Sequence, residues 1–222
     1  MSNFKNEIHS LDEKEMLPLI CAAAALRKEN HLRIFLTKAK SIEINKSELY
    51  ESLLQNYLFT GYPSAMISLK ILREFFPNDN IKSSEDRDLN KYKDRGIKNC
   101  KKIYGGKFNK LVSNVKDFSP ELSDWLVLEG YGKVMGRKGL SLKKRELNNV
   151  AVLSVLKFED QLYSHINGAV RTRSSEEEIK NVFQNLNLLG SNEWTRFGLK
   201  VFMRYLKEKG IEYTIPFKNF LE

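Results

Sequence analysis

The chain has 222 residues, 41% of them hydrophobic, and its two cysteines, Cys21 and Cys100, form neither a C-x-x-C pair nor a zinc-ligand spacing. A chain this long buries a core without disulfides or metals, and its longest apolar run, "LPLICAAAAL" at 17–26, is too short for the roughly 20 residues of a membrane helix. The net charge of +9 is scattered among acids, as in "SSEDRDLNKYKDRGIKNCKK" at 83–102, with no aromatic-interleaved or zinc-finger pattern, so nucleic acid is not the expected partner. A positive field does favour small anions such as carboxylates. No apolar signal core follows "MSNFKNEIHS", and a cytoplasmic location is expected.

Helical periodicity runs from end to end and predicts an all-α fold with little or no sheet. "SLDE" at 10–13 reads as a capping box ahead of "KEMLPLICAAAALRKE", a helix apolar nearly all round and so expected at the centre. "RKENHLRIFLTKA" at 27–39 gives the next helix and "NKSE" the start of another. Gly61 and Pro63 then break one helix and begin the next. Residues 76–120 read as a charged connecting segment. Within it a surface helix is predicted over Lys91–Lys101, ended by "YGG", with a new start at Ser119 and Pro120. Ser141 caps "LKKRELNNVAVLSVLK", "KFEDQLYSHINGA" at 157–169 follows, "SSEE" starts the next helix, and Gly190 with Ser191 or Asn192 starts the last.

The two ends echo each other. A shift of about 130 residues sets Glu29 on Glu159, Leu32 on Leu162, Ala39 on Ala169, Glu48 on Glu178, Leu69 on Leu199 and Lys70 on Lys200, with one single-residue gap upstream. A bundle of two related helical repeats is therefore expected, 1–75 and 121–222, in which residues 10–75 and 136–208 superpose and the apolar helices "LICAAAAL" and "VAVLSVL" cover each other. At one place the repeats differ in chemistry: His165 in the second is Phe35 in the first.

The runs "YGKVMGRKGLSLKKREL" (131–147), "QLYSHINGA" (161–169) and "EEEIKNVF" (176–183), preceded by "DRGIKNCKKIYGG" (94–106) and "FSPELSDW" (118–125), resemble the carboxymuconolactone decarboxylase family. Its members share an all-helical fold with the alkylhydroperoxidase AhpD group. Residues 92–208 look like one full domain and 10–75 like a diverged extra copy. The resemblance implies a lyase that decarboxylates a small lactone carboxylic acid without metal or organic cofactor, working as a homo-oligomer, a trimer or a multiple of it. Two departures stand out. Aligned on His165, the C-x-x-C-x-x-x-H of AhpD relatives meets Phe158 and Gln161 at the cysteine positions, so no thiolate is supplied for peroxidase chemistry. In addition, "GKVMGR" carries Lys133 and Met135 where decarboxylases often have an acid and an aromatic.

Decarboxylation of such an acid needs groups to hold carboxylate and carbonyl, a dry site, and an acid to reprotonate carbon. His165 shares an apolar helix face with Phe158, Leu162 and Ala169, with Gln161 at its edge. That placement fits a proton shuttle, and equally a core histidine bonded to a backbone carbonyl. Arg137 and Arg145 are candidate carboxylate clamps and Glu146 a candidate orienting group or second acid; each also fits an ordinary ion pair. With the resemblance, the expected catalytic set is His165, Glu146 and Arg137. The expected substrate-binding set is Arg145, Gln161, Tyr131 and Phe158, with Glu129 nearby. Glu159, repeated as Glu29, reads as structural. The alternative is a non-catalytic homologue that binds a small acid or a protein partner.

Overall fold

A computed structural model describes residue 8, residues 10–77 and residues 88–211. Among the described residues the chain is helical with no strand. The first half holds α1 (Glu13–Ala25), α2 (Glu29–Ser41), α3 (Lys46–Gln55) and α4 (Tyr57–Phe75). The middle holds α5 (Leu89–Tyr104), α6 (Phe108–Phe118), α7 (Pro120–Trp125) and a π-helical stretch, Leu126–Val134. The last part holds α8 (Leu142–Leu156), α9 (Glu159–Arg171), α10 (Glu176–Asn185) and α11 (Glu193–Glu208). No helix among the described residues is long and apolar enough to cross a membrane.

The centre is α1 laid on α8, as the apolar runs predict. Every residue from Met16 to Ala25 is buried, and so is every residue from Arg145 to Val155. Helices α2, α3 and α4 pack around α1, and α9, α10 and α11 around α8, closing one hydrophobic core. Burial of this kind stabilises by about 25 cal/mol for each Å² of apolar surface removed from water.

The second-half caps stand where the sequence places them. Ser141 accepts from the Lys144 amide, and Ser175 forms a capping box with Glu178. The first cap does not. Asp12, not Ser10, closes α1: its carboxylate accepts from the Lys14 and Glu15 amides while Glu15 bonds back to the Asp12 amide. A carboxylate there also meets the positive end of the helix dipole. Gly61 (φ 74°, ψ 173°) breaks α4, and Pro63 sits in the first turn after the break.

Helix bounds follow the spacing of the sequence repeat. Glu29–Ser41 recurs 130 positions on as Glu159–Arg171, and Lys46–Gln55 as Glu176–Asn185. Non-glycine residues rarely adopt positive φ. Here they come in pairs at that spacing, Arg27 (φ 55°) with Lys157 (φ 59°) and Glu43 (φ 56°) with Arg173 (φ 72°).

Helix α5 is longer and more deeply placed than the surface helix expected over Lys91–Lys101. Capped by Asp88, it buries Tyr92, Gly96, Cys100 and Ile103 against the π-helix and α9. Glycines permit the approach: a Cβ on Gly96 would stand 2.0 Å from the Val127 carbonyl oxygen, and one on Gly132 2.1 Å from that of Tyr92. Arg95 Nε donates to the Gly132 carbonyl at 2.6 Å and Asn99 Nδ2 to that of Tyr131 at 2.9 Å, which ties α5 to the end of the π-helix.

Candidate active site

Helices α8 and α9 cross so that Glu146 Oε2 lies 2.8 Å from His165 Nδ1. Asn149, one turn after Glu146, brings Nδ2 to 3.3 Å of the same nitrogen while its Oδ1 accepts from Gln55 Nε2 at 2.9 Å. A carboxylate can only accept from a ring nitrogen, so Glu146 sets the tautomer with hydrogen on Nδ1 and leaves Nε2 for other work. Nε2 has no hydrogen-bond partner among the described residues. Glu146 itself is fully buried, and its Oε1 has no partner either.

His165 lines a cavity of about 580 Å³, a normal size for a small-molecule site. One wall comes from the first half of the chain: Tyr57, Phe59 and Tyr62 around the Gly61 break, with the Phe59 ring edge-on to the imidazole at 6.0 Å. Phe118 and Trp125, both exposed at the rim, come from α6 and α7, and Glu129 and Tyr131 from the π-helix. π-Helical turns of this kind are rare and concentrate at functional sites. The Tyr131 and Tyr104 hydroxyls bond to each other. Burial holds both phenols above their ordinary pKa and the nearby Glu146 adds to it, so the pair stays protonated and keeps a donor for a ligand. Burial, and then Glu146, push the Cys100 thiol up to about 12, which leaves no thiolate here.

The two arginines lie elsewhere. Arg145 is fully buried; its guanidinium reaches Glu51 at 2.9 Å and Gln55 at 3.1 Å. Arg137 Nε stands 2.9 Å from both Glu51 oxygens. Glu51 and Gln55 belong to α3, so the carboxylate these arginines hold is the protein's own and the clasp joins the two halves of the chain. Neither arginine lines the cavity, and among the described residues neither does any lysine. Phe158 and Gln161 are exposed and outside it. Because α9 starts at Glu159, Phe158 is the residue before the helix and drops off the face it would share with His165. Glu159 pairs with Arg204 at 2.6 Å.

The structure thus brings together His165, Glu146, Tyr131 and Glu129 of the residues singled out from sequence. Sequence reasoning missed Asn149, although its spacing from Glu146 puts the two on one helix face. It also missed Tyr57, Phe59, Tyr104, Phe118 and Trp125, which no local pattern connects to His165. Counting back from the paired Arg27 and Lys157, the first half has Met16, Leu19 and Phe35 where the second has Glu146, Asn149 and His165, and all three are buried. Among the described residues no three His, Cys, Asp or Glu side chains gather as a metal-holding group.

No family model matches the chain. Over 125 residues it is 25% identical to a protein of Acinetobacter baylyi named 4-carboxymuconolactone decarboxylase, a match that takes in 56% of this chain and 92% of that protein. This likeness supports a distant relationship to the family that the sequence motifs resemble.

Proposed function

We propose that the chain is a cofactor-independent lyase of the carboxymuconolactone decarboxylase kind, acting on a small lactone carboxylic acid with His165 as the proton donor. The observation that carries this reading is the buried Glu146 on His165 Nδ1, with Nε2 left for the cavity. As the carbon–carbon bond to the carboxylate breaks, its electron pair moves into the substrate's conjugated carbonyl, and carbon dioxide leaves. His165, protonated on both nitrogens, then gives the Nε2 proton to the electron-rich carbon and keeps Nδ1–H on Glu146. Tyr131, accepting from the Tyr104 hydroxyl, then donates its own hydrogen to the carbonyl oxygen as charge builds there. The aromatic lining suits a step in which a localised charge spreads, because a dry site does not stabilise the starting carboxylate. Homo-oligomerisation, as a trimer or a multiple, is part of the proposal, and light scattering tests it.

His165→Asn should keep the fold and lower turnover of a carboxylactone by about 10² to 10⁴, the usual worth of acid–base catalysis. Phe35→His should restore nothing, since Met16 and Leu19 stand where a carboxylate and an amide would be needed. A His165→Asn variant that melts early yet keeps full rate per folded molecule sinks the catalytic reading. One observation favours a second reading, a homologue that binds without turnover: the arginines suited to a carboxylate are already held by Glu51.

A further inference from the structure

We infer that Asn149 is a substrate contact, donating a hydrogen bond from its side-chain amide to a carboxylate or carbonyl oxygen held beside His165, and that Gln55 is the positioning residue that turns the amide that way. This rests on the reading of the cavity as the substrate site and adds to it two residues with separate roles.

An asparagine amide can present either its oxygen or its NH2 edge to a neighbour, and the two edges hardly differ in shape. Here the choice is made outside the cavity. Arg145 Nη1, which can only donate, gives a hydrogen to Gln55 Oε1 at 3.1 Å, and the Arg145 carbonyl, which can only accept, takes one from Gln55 Nε2 at 3.1 Å. These partners hold Gln55 in one orientation. Its Nε2 then donates to Asn149 Oδ1 at 2.9 Å, which turns the asparagine oxygen toward Gln55. Gln55 is fully buried and does not line the cavity, whereas Asn149 does, so the edge left for the cavity is NH2. Among the described residues Nδ2 meets two other lining groups, His165 Nδ1 at 3.3 Å and Met135 Sδ at 3.6 Å. Neither takes its hydrogens well. With its own hydrogen on Glu146, Nδ1 has no lone pair to offer, and a thioether is a weak acceptor. Asn149 is 1% exposed, so water does not supply the missing acceptor from bulk, and a ligand oxygen in the cavity satisfies it. The chain of bonds also strengthens the donor. Hydrogen bonds in series polarise one another, so a guanidinium on Gln55 Oε1 makes Nε2 a better donor to Asn149, and Asn149 Nδ2 in turn a better donor to an anion. Two guanidinium groups share the one Glu51 carboxylate, so the series begins at a positive end.

The test is calorimetric titration of the whole chain with γ-butyrolactone-γ-carboxylate, a saturated lactone acid with no conjugated carbonyl to drive decarboxylation, beside a melting temperature for each variant. Asn149→Leu keeps the volume and uses the residue type that α1 buries 130 positions earlier at Leu19. It should melt no earlier than wild type yet bind the probe about tenfold more weakly. Gln55→Glu leaves every cavity atom in place but offers Asn149 an acceptor where it had a donor, so the amide turns over and the probe should again bind about tenfold more weakly. Gln55→Met removes the aim without reversing it and should weaken binding about threefold, and it decides the matter if the buried charge of Gln55→Glu prevents folding. Wild-type affinity in Asn149→Leu, which would make the amide a partner of the imidazole alone, overturns the inference. So does wild-type affinity in every Gln55 variant that folds, or no binding to wild type in the millimolar range. The lyase reading is decided separately by turnover of a carboxylactone in His165→Asn. Retained turnover there counts against that reading alone, and an unmoved affinity in Asn149→Leu beside lost turnover in His165→Asn counts against the inference alone.

Discussion

Glu51→Gln should destabilise the chain by about 3 kcal/mol, near the low end of the loss expected when a buried ion pair is stripped of one partner. Glu51 is 3% exposed, and Arg145, which depends on it, is fully buried. The carboxylate receives Arg145 Nη2 and Arg137 Nε and Nη2, all at 2.9 Å. Glutamine keeps the shape and one acceptor oxygen but removes the charge, so the fully buried Arg145 guanidinium loses the carboxylate that faces it. Arg145 Nε already lacks a partner, which leaves no slack in the network. Urea denaturation near neutral pH measures the loss, and moderate salt should change it little because the pair is out of water. Replacing both members, as Glu51→Leu with Arg145→Met, should destabilise less than Glu51→Gln, since both desolvation penalties disappear together. A Glu51→Gln variant within about 0.5 kcal/mol of wild type would refute the reasoning. So would full stability with lost turnover, which would return the arginines to the substrate.

Burial pushes Cys100 to about 12 and Cys21 higher still, so neither should react with a disulfide reagent until denaturant is added, and fast native labelling of Cys100 would contradict this. Burial alone would raise Glu178, but the Lys143 ammonium and the Ser175 amide bring its carboxyl below the ordinary range. A lowered folded pKa gives stability that is present above the unfolded value and lost as pH falls through the folded one. Glu178→Gln should therefore lower stability by about 1 kcal/mol near neutrality, and the difference should vanish in acid as paired urea melts are compared. Gly132→Ala should cost about 1–3 kcal/mol because the new methyl meets the Tyr92 carbonyl rather than a movable side chain, and an unchanged melting temperature would count against the close packing of α5 on the π-helix.

The main helices were legible because their signals are local. Runs such as "LICAAAAL", caps such as Ser141 and Ser175, and breakers such as Gly61 act within a few residues. Ser10 misled because "SLDE" offers two cap residues two positions apart, and which one wins depends on where the helix is covered by tertiary packing. The arginines were the harder case. Arg137 and Arg145 carry the same motif whether they hold a substrate or Glu51, and Glu51 lies 86 and 94 residues away. The π-helix had no signature either, since a change from four-residue to five-residue bonding leaves the side-chain types alone and shows only in the glycines that let α5 approach.

The difference between the halves has a direction that stability alone does not explain. Glu146 keeps a buried oxygen without a partner and Asn149 shares a crowded nitrogen with it, whereas Met16, Leu19 and Phe35 fill the corresponding places of the first half with apolar atoms. Apolar packing is the more stable solution for such a position, because an unsatisfied buried polar group destabilises by about 1–3 kcal/mol. A polar cluster kept where the chain has apolar residues 130 positions earlier is therefore expected to be kept for chemistry. The first half is nevertheless not spare, since it supplies Tyr57, Phe59 and Tyr62 to the cavity wall and Glu51 to the arginines behind it. One half holds Glu146, Asn149 and His165, and the other closes the cavity beside them.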